Sequence, residues 1–343
     1  MVKTNAGRFF EDYSVGQVIN HAVPRTIKMG ERALYHMLYP ARHALYSSDQ
    51  FAQSCGLPFS PLDDMIGFHV VFGKTVPDVS LNAVANLGYA EGRFITPVWP
   101  GDTLRSVSEV IGVKQNSNGK TGVVYVRTKG LNQHDETVLE YVRWVMVRKR
   151  DMDAPAPETV IPNLTKTVPV ENLVIPKGLD FSNYDFTLAG EPHRWGDYEI
   201  GEQIDHVDGV TIEEAEHMMA TRLWQNTAKV HFDTSARPDG SRLIYGGHVI
   251  SMARALSFNG LANAQMVAGI NAGAHANPCL SGDTVRAWSE VLDKAETAAP
   301  GVGALRLRLV ATKGGAPFEL KGEDGKYLPD VLLDLDYWVL CPM

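Results

Sequence analysis

Glu11-Asp12-Tyr13-Ser14-Val15-Gly16-Gln17-Val18-Ile19-Asn20-His21 returns later in the chain as Gly196-Asp197-Tyr198-Glu199-Ile200-Gly201-Glu202-Gln203-Ile204-Asp205-His206. The Asp-Tyr pair, the glycine and the closing histidine keep their places. Thr26-Ile27 and Thr211-Ile212 follow at the same spacing without a gap. Further on, Pro97-Val98-Trp99-Pro100-Gly101-Asp102-Thr103-Leu104-Arg105 is answered by Pro278-Cys279-Leu280-Ser281-Gly282-Asp283-Thr284-Val285-Arg286, and Trp144-Val145 by Trp338-Val339. A period this long is not a solenoid, whose unit repeats every few tens of residues. It signals two whole domains of one fold from a duplicated gene. Features shared by both halves then mark fold architecture, and features kept by one half mark chemistry.

Composition sets the outer limits. A chain of 343 residues can bury two ordinary cores. Charged residues at 21% and hydrophobic residues at 44% are normal for a soluble globular protein. A formal charge of −8 argues against a nucleic-acid surface, which needs clustered Lys and Arg. No apolar run reaches the roughly 18 residues that a membrane span requires. Met1-Val2-Lys3-Thr4-Asn5-Ala6-Gly7-Arg8 lacks the apolar stretch of a signal peptide, so a cytoplasmic location is expected. Cys55, Cys279 and Cys341 are odd in number and scattered, which suits a reducing compartment and predicts neither a disulfide framework nor a metal site.

The first unit, residues 1–150, has a short helical pattern over Met29–Tyr39. A stronger one follows Pro61-Leu62-Asp63-Asp64, with Met65, Phe68, Val71 and Phe72 at helical spacing and Asp63 or Asp64 as its cap. Strand-like runs come next: Arg93–Ile95, Thr103–Val113, Gly122–Lys129 and Val138–Val147. Residues 151–189 carry Pro155, Pro157, Pro162, Pro169 and Pro176 and read as a linker that wraps from one domain to the other. The second unit, residues 190–343, repeats the order with helical patterns over Thr211–Trp224 and Gly247–Ala262 and three or four strands after them. A long helix followed by a meandering antiparallel sheet is an α+β layout. Its natural match is a tandem (double) hotdog, each sheet wrapped around a long helix, the two units pairing sheet to sheet.

The most specific stretch is Trp224-Gln225-Asn226-Thr227-Ala228-Lys229-Val230-His231-Phe232-Asp233, followed by Leu243-Ile244-Tyr245-Gly246-Gly247-His248 at the head of the long helix. It resembles the fingerprint of the MaoC-like (R)-specific enoyl-CoA hydratases, D-x-N-P-[LIV]-H-x-D. By position, the family's His falls on His231, its trailing Asp on Asp233 and its helix-opening Gly on Gly247. The family's first Asp falls on Asn226, its Asn on Ala228 and its Pro on Lys229. An amide therefore stands where the family has a carboxylate. It cannot take a proton but still holds a water or a substrate oxygen. The base role then falls on His231, or on an acidic residue outside the motif. The segments Phe72–Asp78, Asn86–Ala90 and Arg143–Arg150, together with Asn226–His231, are similar to the mesaconyl-CoA hydratase (β-methylmalyl-CoA dehydratase) branch over essentially the whole chain, linker included. That resemblance implies a hydro-lyase that reversibly adds water to mesaconyl-CoA. The partner would be a small acyl-CoA thioester, and no cofactor would be needed because CoA is part of the substrate.

The first half supplies an internal control. Tyr46 stands where the second half has His231, Ala41 where it has Asn226, and Asp63-Asp64 near where it has Gly246-Gly247. A thioester enolate needs bare backbone N–H groups at a helix start, and two carboxylates there would repel it. The expected division of labour is a first half that helps bind CoA and acyl parts and a second half that holds the reaction. In that scheme the Gly247 amide meets the thioester oxygen, His231 takes the proton of water, and Asn226 fixes the water or the product hydroxyl. The free carboxylate of the substrate calls for a cation or donor. Lys229, Arg222 and His248 are the candidates nearest in sequence.

Several of these residues have plainer readings. Asn226 also suits a helix C-cap, Gly247 a tight turn, Asp233 a structural hydrogen-bond partner and Lys229 a solvated side chain. His21 and His206, and Asp102 and Asp283, recur in both halves and read as architecture. A hydratase for plain 2-enoyl-CoA chains, a hotdog thioesterase and a non-catalytic acyl-CoA-binding protein are the alternative functions. A homodimer or higher homo-oligomer is expected, as is usual for such folds.

Overall fold

A computed structural model describes residues 3–343. Each half opens with a strand and a short helix, β1 (Val18–Thr26) with α1 (Met29–Leu38), and β6 (Gln203–Thr211) with α6 (Glu214–Leu223). In the first half α2 (Ala44–Ser47), α3 (Asp49–Ser54) and the central helix α4 (Asp64–Thr75) follow, then β2 (Ala83–Phe94), β3 (Thr103–Gln115), β4 (Thr121–Leu131) and β5 (Thr137–Arg148). After α5 (Phe186–Ala189) and the β6–α6 unit, the second half has its central helix α7 (Gly246–Leu256), the short α8 (Phe258–Leu261), and β7 (Met266–His275), β8 (Thr284–Glu296), β9 (Val302–Thr312) and β10 (Val331–Pro342).

The two central helices explain why the sheets curl. All twelve residues of α4 are buried, as are all of α7 after Gly246. A helix that is apolar around its whole circumference must be enclosed, and the strands wrap it. Burying a side chain such as Phe68 or Leu62 contributes about 1.5–3 kcal/mol, and both lie in one core shared by the halves. Asp63 caps α4 by accepting from the Met65 N–H at 2.9 Å. The helix expected over Gly247–Ala262 stops at Leu256. Asn259 and Gly260 leave helical geometry (Gly260 φ 97°), and the Asn259 carbonyl accepts from His206 Nδ1 at 2.7 Å.

That contact shows what the recurring histidines do. His206 Nε2 bonds Ser289 Oγ on β8 at 2.8 Å. His21 repeats the arrangement, with Nε2 on Ser108 Oγ of β3 at 2.8 Å and Nδ1 on Asp78 beyond α4 at 2.9 Å. Each ties its edge strand to the next strand and to the segment after the central helix. Asp102 and Asp283 accept from the Trp99 and Leu280 N–H groups (2.8 and 2.9 Å) and close equivalent turns.

The halves join sheet to sheet, edge to edge. The strand order β1-β3-β4-β5-β2-β7-β10-β9-β8-β6 makes one ten-stranded sheet, with β2 pairing antiparallel to β7. This seam is rich in Gly and Ala. Gly88 receives the Trp144 ring, and Gly92 lies against the Ile270 backbone and side chain. A Cβ at either position would collide with its neighbour. The proline-rich segment 151–189 runs extended against the sheet. Its Val168 N–H donates to Asn271 Oδ1 (2.7 Å) and its Val168 carbonyl accepts from Trp338 Nε1 (3.2 Å).

Candidate active site

A cavity of about 300 Å³ lies between the halves. The first half contributes Phe72 from the end of α4 and Val76 just after it, Asn86 and Tyr89 from β2, and Arg143 from β5. The second half contributes Asn226, His231, Gly246 at the head of α7, and His275 at the end of β7.

The chain reaches this cavity by ending α6 abruptly. Gln225 takes a left-handed conformation (φ 54°), which turns the chain inward. The Trp224 carbonyl packs directly against Gly73 of α4, where any Cβ would collide with it. The turn is thereby locked onto the first half. Asn226, only 2% exposed, accepts from the Ala228 N–H at 3.1 Å through Oδ1 and lies on the cavity wall.

His231 sits in the short 3-10 turn Lys229–His231. Leu243 folds back on this turn, its N–H donating to the Val230 carbonyl at 2.9 Å. The Leu243 carbonyl in turn accepts from His231 Nδ1 at 2.6 Å. A carbonyl only accepts, so Nδ1 carries the proton and Nε2 presents its lone pair. Burial pushes the imidazole pKa down to about 4, opposed only by the Leu243 bond. At neutral pH this is an uncharged base with a fixed tautomer.

Beside it lies the head of α7. The Tyr245 N–H donates to His217 Nε2 (2.9 Å), and the His248 N–H to the Tyr245 carbonyl (2.8 Å). Among the described residues neither the Gly246 nor the Gly247 N–H has a hydrogen-bond acceptor, as expected for the first turn of a helix. Two bare donors at a helix N-terminus favour an oxygen that is gaining negative charge. Gly246 faces the cavity, with the His275 ring lying where its Cβ would be, while Gly247 packs against the Tyr245 ring.

The structure therefore brings His231, Asn226 and Gly246 together around one space, with Gly247 next in the chain and packed against the Tyr245 ring. It does not bring the other candidates there. Lys229 and Arg222 are exposed, on the outer side of the turn and of α6. Asp233 is also exposed and caps the next turn, accepting from the Ser235 N–H (2.9 Å) and Oγ (2.6 Å). His248 is wholly buried behind the cavity wall, with Nδ1 3.1 Å from the Tyr39 hydroxyl. Of the two readings of Asn226, the geometry separates them: Trp224 caps α6, Gln225 takes the left-handed place, and Asn226 is left to the cavity.

Arg143, Asn86, Tyr89 and His275 escape a motif search because they sit in strands. The signal for Arg143 was present all the same. It shares a strand face with Tyr141, Val145 and Val147, all fully buried, so a guanidinium stands in phase with core residues.

The fold is that of double-hotdog proteins of the MaoC-like class. A Mycobacterium tuberculosis protein with a double hotdog fold matches 98% of both chains with a TM-score of 0.73 at 24% identity. A MaoC domain protein of Chloroflexus aurantiacus J-10-fl matches with a TM-score of 0.97 and 58% identity over 100% of this chain and 99% of that one. Within that class, the chain belongs to the mesaconyl-CoA hydratase family, whose profile matches residues 2–316. The mesaconyl-CoA hydratase of Cereibacter sphaeroides is 74% identical over 342 residues, 99% of this chain and 100% of that protein. The beta-methylmalyl-CoA dehydratase of Chloroflexus aurantiacus is 59% identical over 348 residues, 99% and 98% respectively.

Proposed function

We propose that the chain adds water reversibly across the double bond of mesaconyl-CoA to give β-methylmalyl-CoA. The observation that carries this is the uncharged His231, with Nε2 presenting its lone pair, on the wall of one cavity with the head of α7 and its bare N–H groups. The names of the two relatives point to the same reaction.

In the hydration direction, a water held by Asn226 and His231 attacks the carbon β to the thioester. His231 Nε2 accepts the water's proton as the new C–O bond forms. The electron pair of the double bond moves toward the thioester, and the charge on its oxygen is met by the Gly246 and Gly247 amides. The α-carbon then takes the proton from His231, so one water is added and nothing is left over. Dehydration reverses each step, with His231 protonating the departing hydroxyl. Asn226 positions and does not titrate.

The division of labour places proton transfer in 190–343 and much of the acyl-binding wall in 1–150, with 151–189 as a strap between them. No cofactor is needed beyond the CoA of the substrate. No described helix is long and apolar enough to cross a membrane. A cytoplasmic protein that assembles as a homodimer or larger homo-oligomer fits this reading. Mixing the purified protein with mesaconyl-CoA should bleach the enoyl-thioester absorbance and yield a product heavier by one water. An unchanged substrate would overturn the proposal.

A further inference from the structure

Arg143 is the least expected residue on the cavity wall. It is 0% exposed in the middle of β5. Its Nη2 donates to Thr75 Oγ1 at 2.7 Å and Ser80 Oγ at 3.3 Å, and its Cζ lies 4.3 Å from the centre of the Phe72 ring. Among the described residues its Nε and Nη1 have no hydrogen-bond partner and no carboxylate pairs with it. Close by, Asn86 leaves both atoms of its amide unpartnered. A buried charge is normally paired, because burial without a counter-charge is costly. A fully enclosed cation with two idle donors, beside an idle amide, is a site awaiting an anion.

The comparison between halves supports this. In the first half Arg143 pairs across the sheet with Tyr89, and Val145 with Asn86. At the matching places in the second half, Tyr337 pairs with Ile270 and Val339 with Val267. The fold thus manages without the guanidinium and without the amide. The half that lacks the imidazole is the one that supplies the cation.

We propose that Arg143, assisted by Asn86, holds the free carboxylate of the substrate's acyl chain and selects 2-enoyl thioesters that end in a carboxylate over uncharged ones. This rests on the hydratase reading above and deepens it. A planar guanidinium with two free donors suits a carboxylate. Neutralising that carboxylate also eases attack by the water oxygen, since the attacked carbon bears it. An uncharged acyl end would leave the buried donors unpaired, which is how a polar site rejects an analogue.

The test compares mesaconyl-CoA with the thioester in which a methyl group replaces its carboxylate, using wild type, R143Q, R143K and N86A. Wild type should prefer the carboxylated substrate in kcat/KM by about 10³-fold or more. R143Q should cut that preference by about 10²- to 10³-fold, the scale expected when one partner of a buried charge pair is removed. R143K should recover part of it, and N86A should lower it less. Equal losses on both substrates, or an unchanged preference in R143Q, would overturn the proposal. If circular dichroism shows that R143Q does not fold, inhibition of wild type by the saturated analogues decides. The carboxylated one should bind about 10²-fold more tightly, and equal inhibition refutes the assignment. If wild type hydrates neither substrate, the hydratase reading fails. Calorimetric binding of the saturated carboxylated thioester to wild type and R143K then still judges Arg143: clearly tighter binding to wild type supports it, and equal or absent binding sinks it.

Discussion

The Tyr46 hydroxyl donates to the carboxylate of Asp64, which opens α4 as Gly246 opens α7 in the second half. Asp64 also accepts from the Val267 N–H at 2.7 Å, and burial pushes its carboxyl up to about 7. The pseudo-equivalent site is filled by its own side chains. Y46F removes the donor and leaves a buried carboxyl short of a partner, so stability should fall by about 1–3 kcal/mol. Turnover at 25 °C should stay near wild type. Urea unfolding beside a steady-state assay checks both, and a large loss of turnover would mean that the first half does more than bind.

His231 carries the proton in the proposed reaction. Its replacement by Ala should lower kcat by about 10²- to 10⁴-fold, the usual contribution of a positioned acid–base group. The melting temperature should move little, because the ring makes one backbone bond at the cavity edge. Lys229→Ala and Arg222→Ala, both at exposed positions, should leave kcat/KM within about twofold. A strong loss in either would bring a solvent-facing cation back into the site.

The same residue sets an acid limit. With the His231 pKa down at about 4, the free base dominates above that value and is lost only below it. A profile of kcat/KM against pH should therefore run flat from 7 to 5 and fall near 4. A limb near 6.5, the ordinary value for histidine, would indicate a solvated ring.

Stability should be more sensitive to acid than activity. Burial lowers His69 and His217 to about 3, and His206, His231 and His248 to about 4. Between their unfolded value near 6.5 and these folded values, the unfolded chain binds protons that the native state refuses. Native stability therefore drops as pH falls through that window. Asp64, raised in the fold, acts in the opposite sense between about 4 and 7, and Asp63 and Glu191 are raised as well. These carboxyls are outnumbered by the buried histidines, which include His275 at about 4. Melting temperatures measured from pH 7 to 4 should decline continuously, and a flat series would contradict the burial of these rings.

Gly246 tests the helix head. Because the His275 ring stands where a Cβ would go, G246A forces that ring aside at a cost of about 1–3 kcal/mol. It also crowds the bare amides, so kcat/KM on mesaconyl-CoA should fall more than stability alone explains. A variant with wild-type kinetics would remove the amides from the mechanism.

How much of this was visible beforehand follows from where each signal lies. The duplicated Asp-Tyr…His motif exposes the repeat, and a strongly apolar stretch such as Met65–Phe72 identifies a central helix because burial on every side leaves its imprint on composition. His231, Asn226 and the glycine pair are legible because they cluster in sequence around one turn. Strand β2 is harder: Ala83, Ala85, Gly88 and Gly92 have low strand propensity, and the two glycines are there so that Trp144 and Ile270 can come close. The cation of the site is hidden for a different reason. Sequence proximity favoured Lys229 and Arg222, while tertiary packing delivered Arg143 from a strand in the other half.

The β2–β7 seam has a wider implication. A pair of identical hotdog subunits related by a twofold axis must carry every mutation twice. An arginine gained for one chamber would then be duplicated in the other, enclosed and without a counter-ion. Covalent fusion lifts that symmetry constraint. With both members encoded in tandem, one copy was free to specialise in gripping the tail of the ligand while the other refined proton transfer, giving a heterodimer in all but chain count.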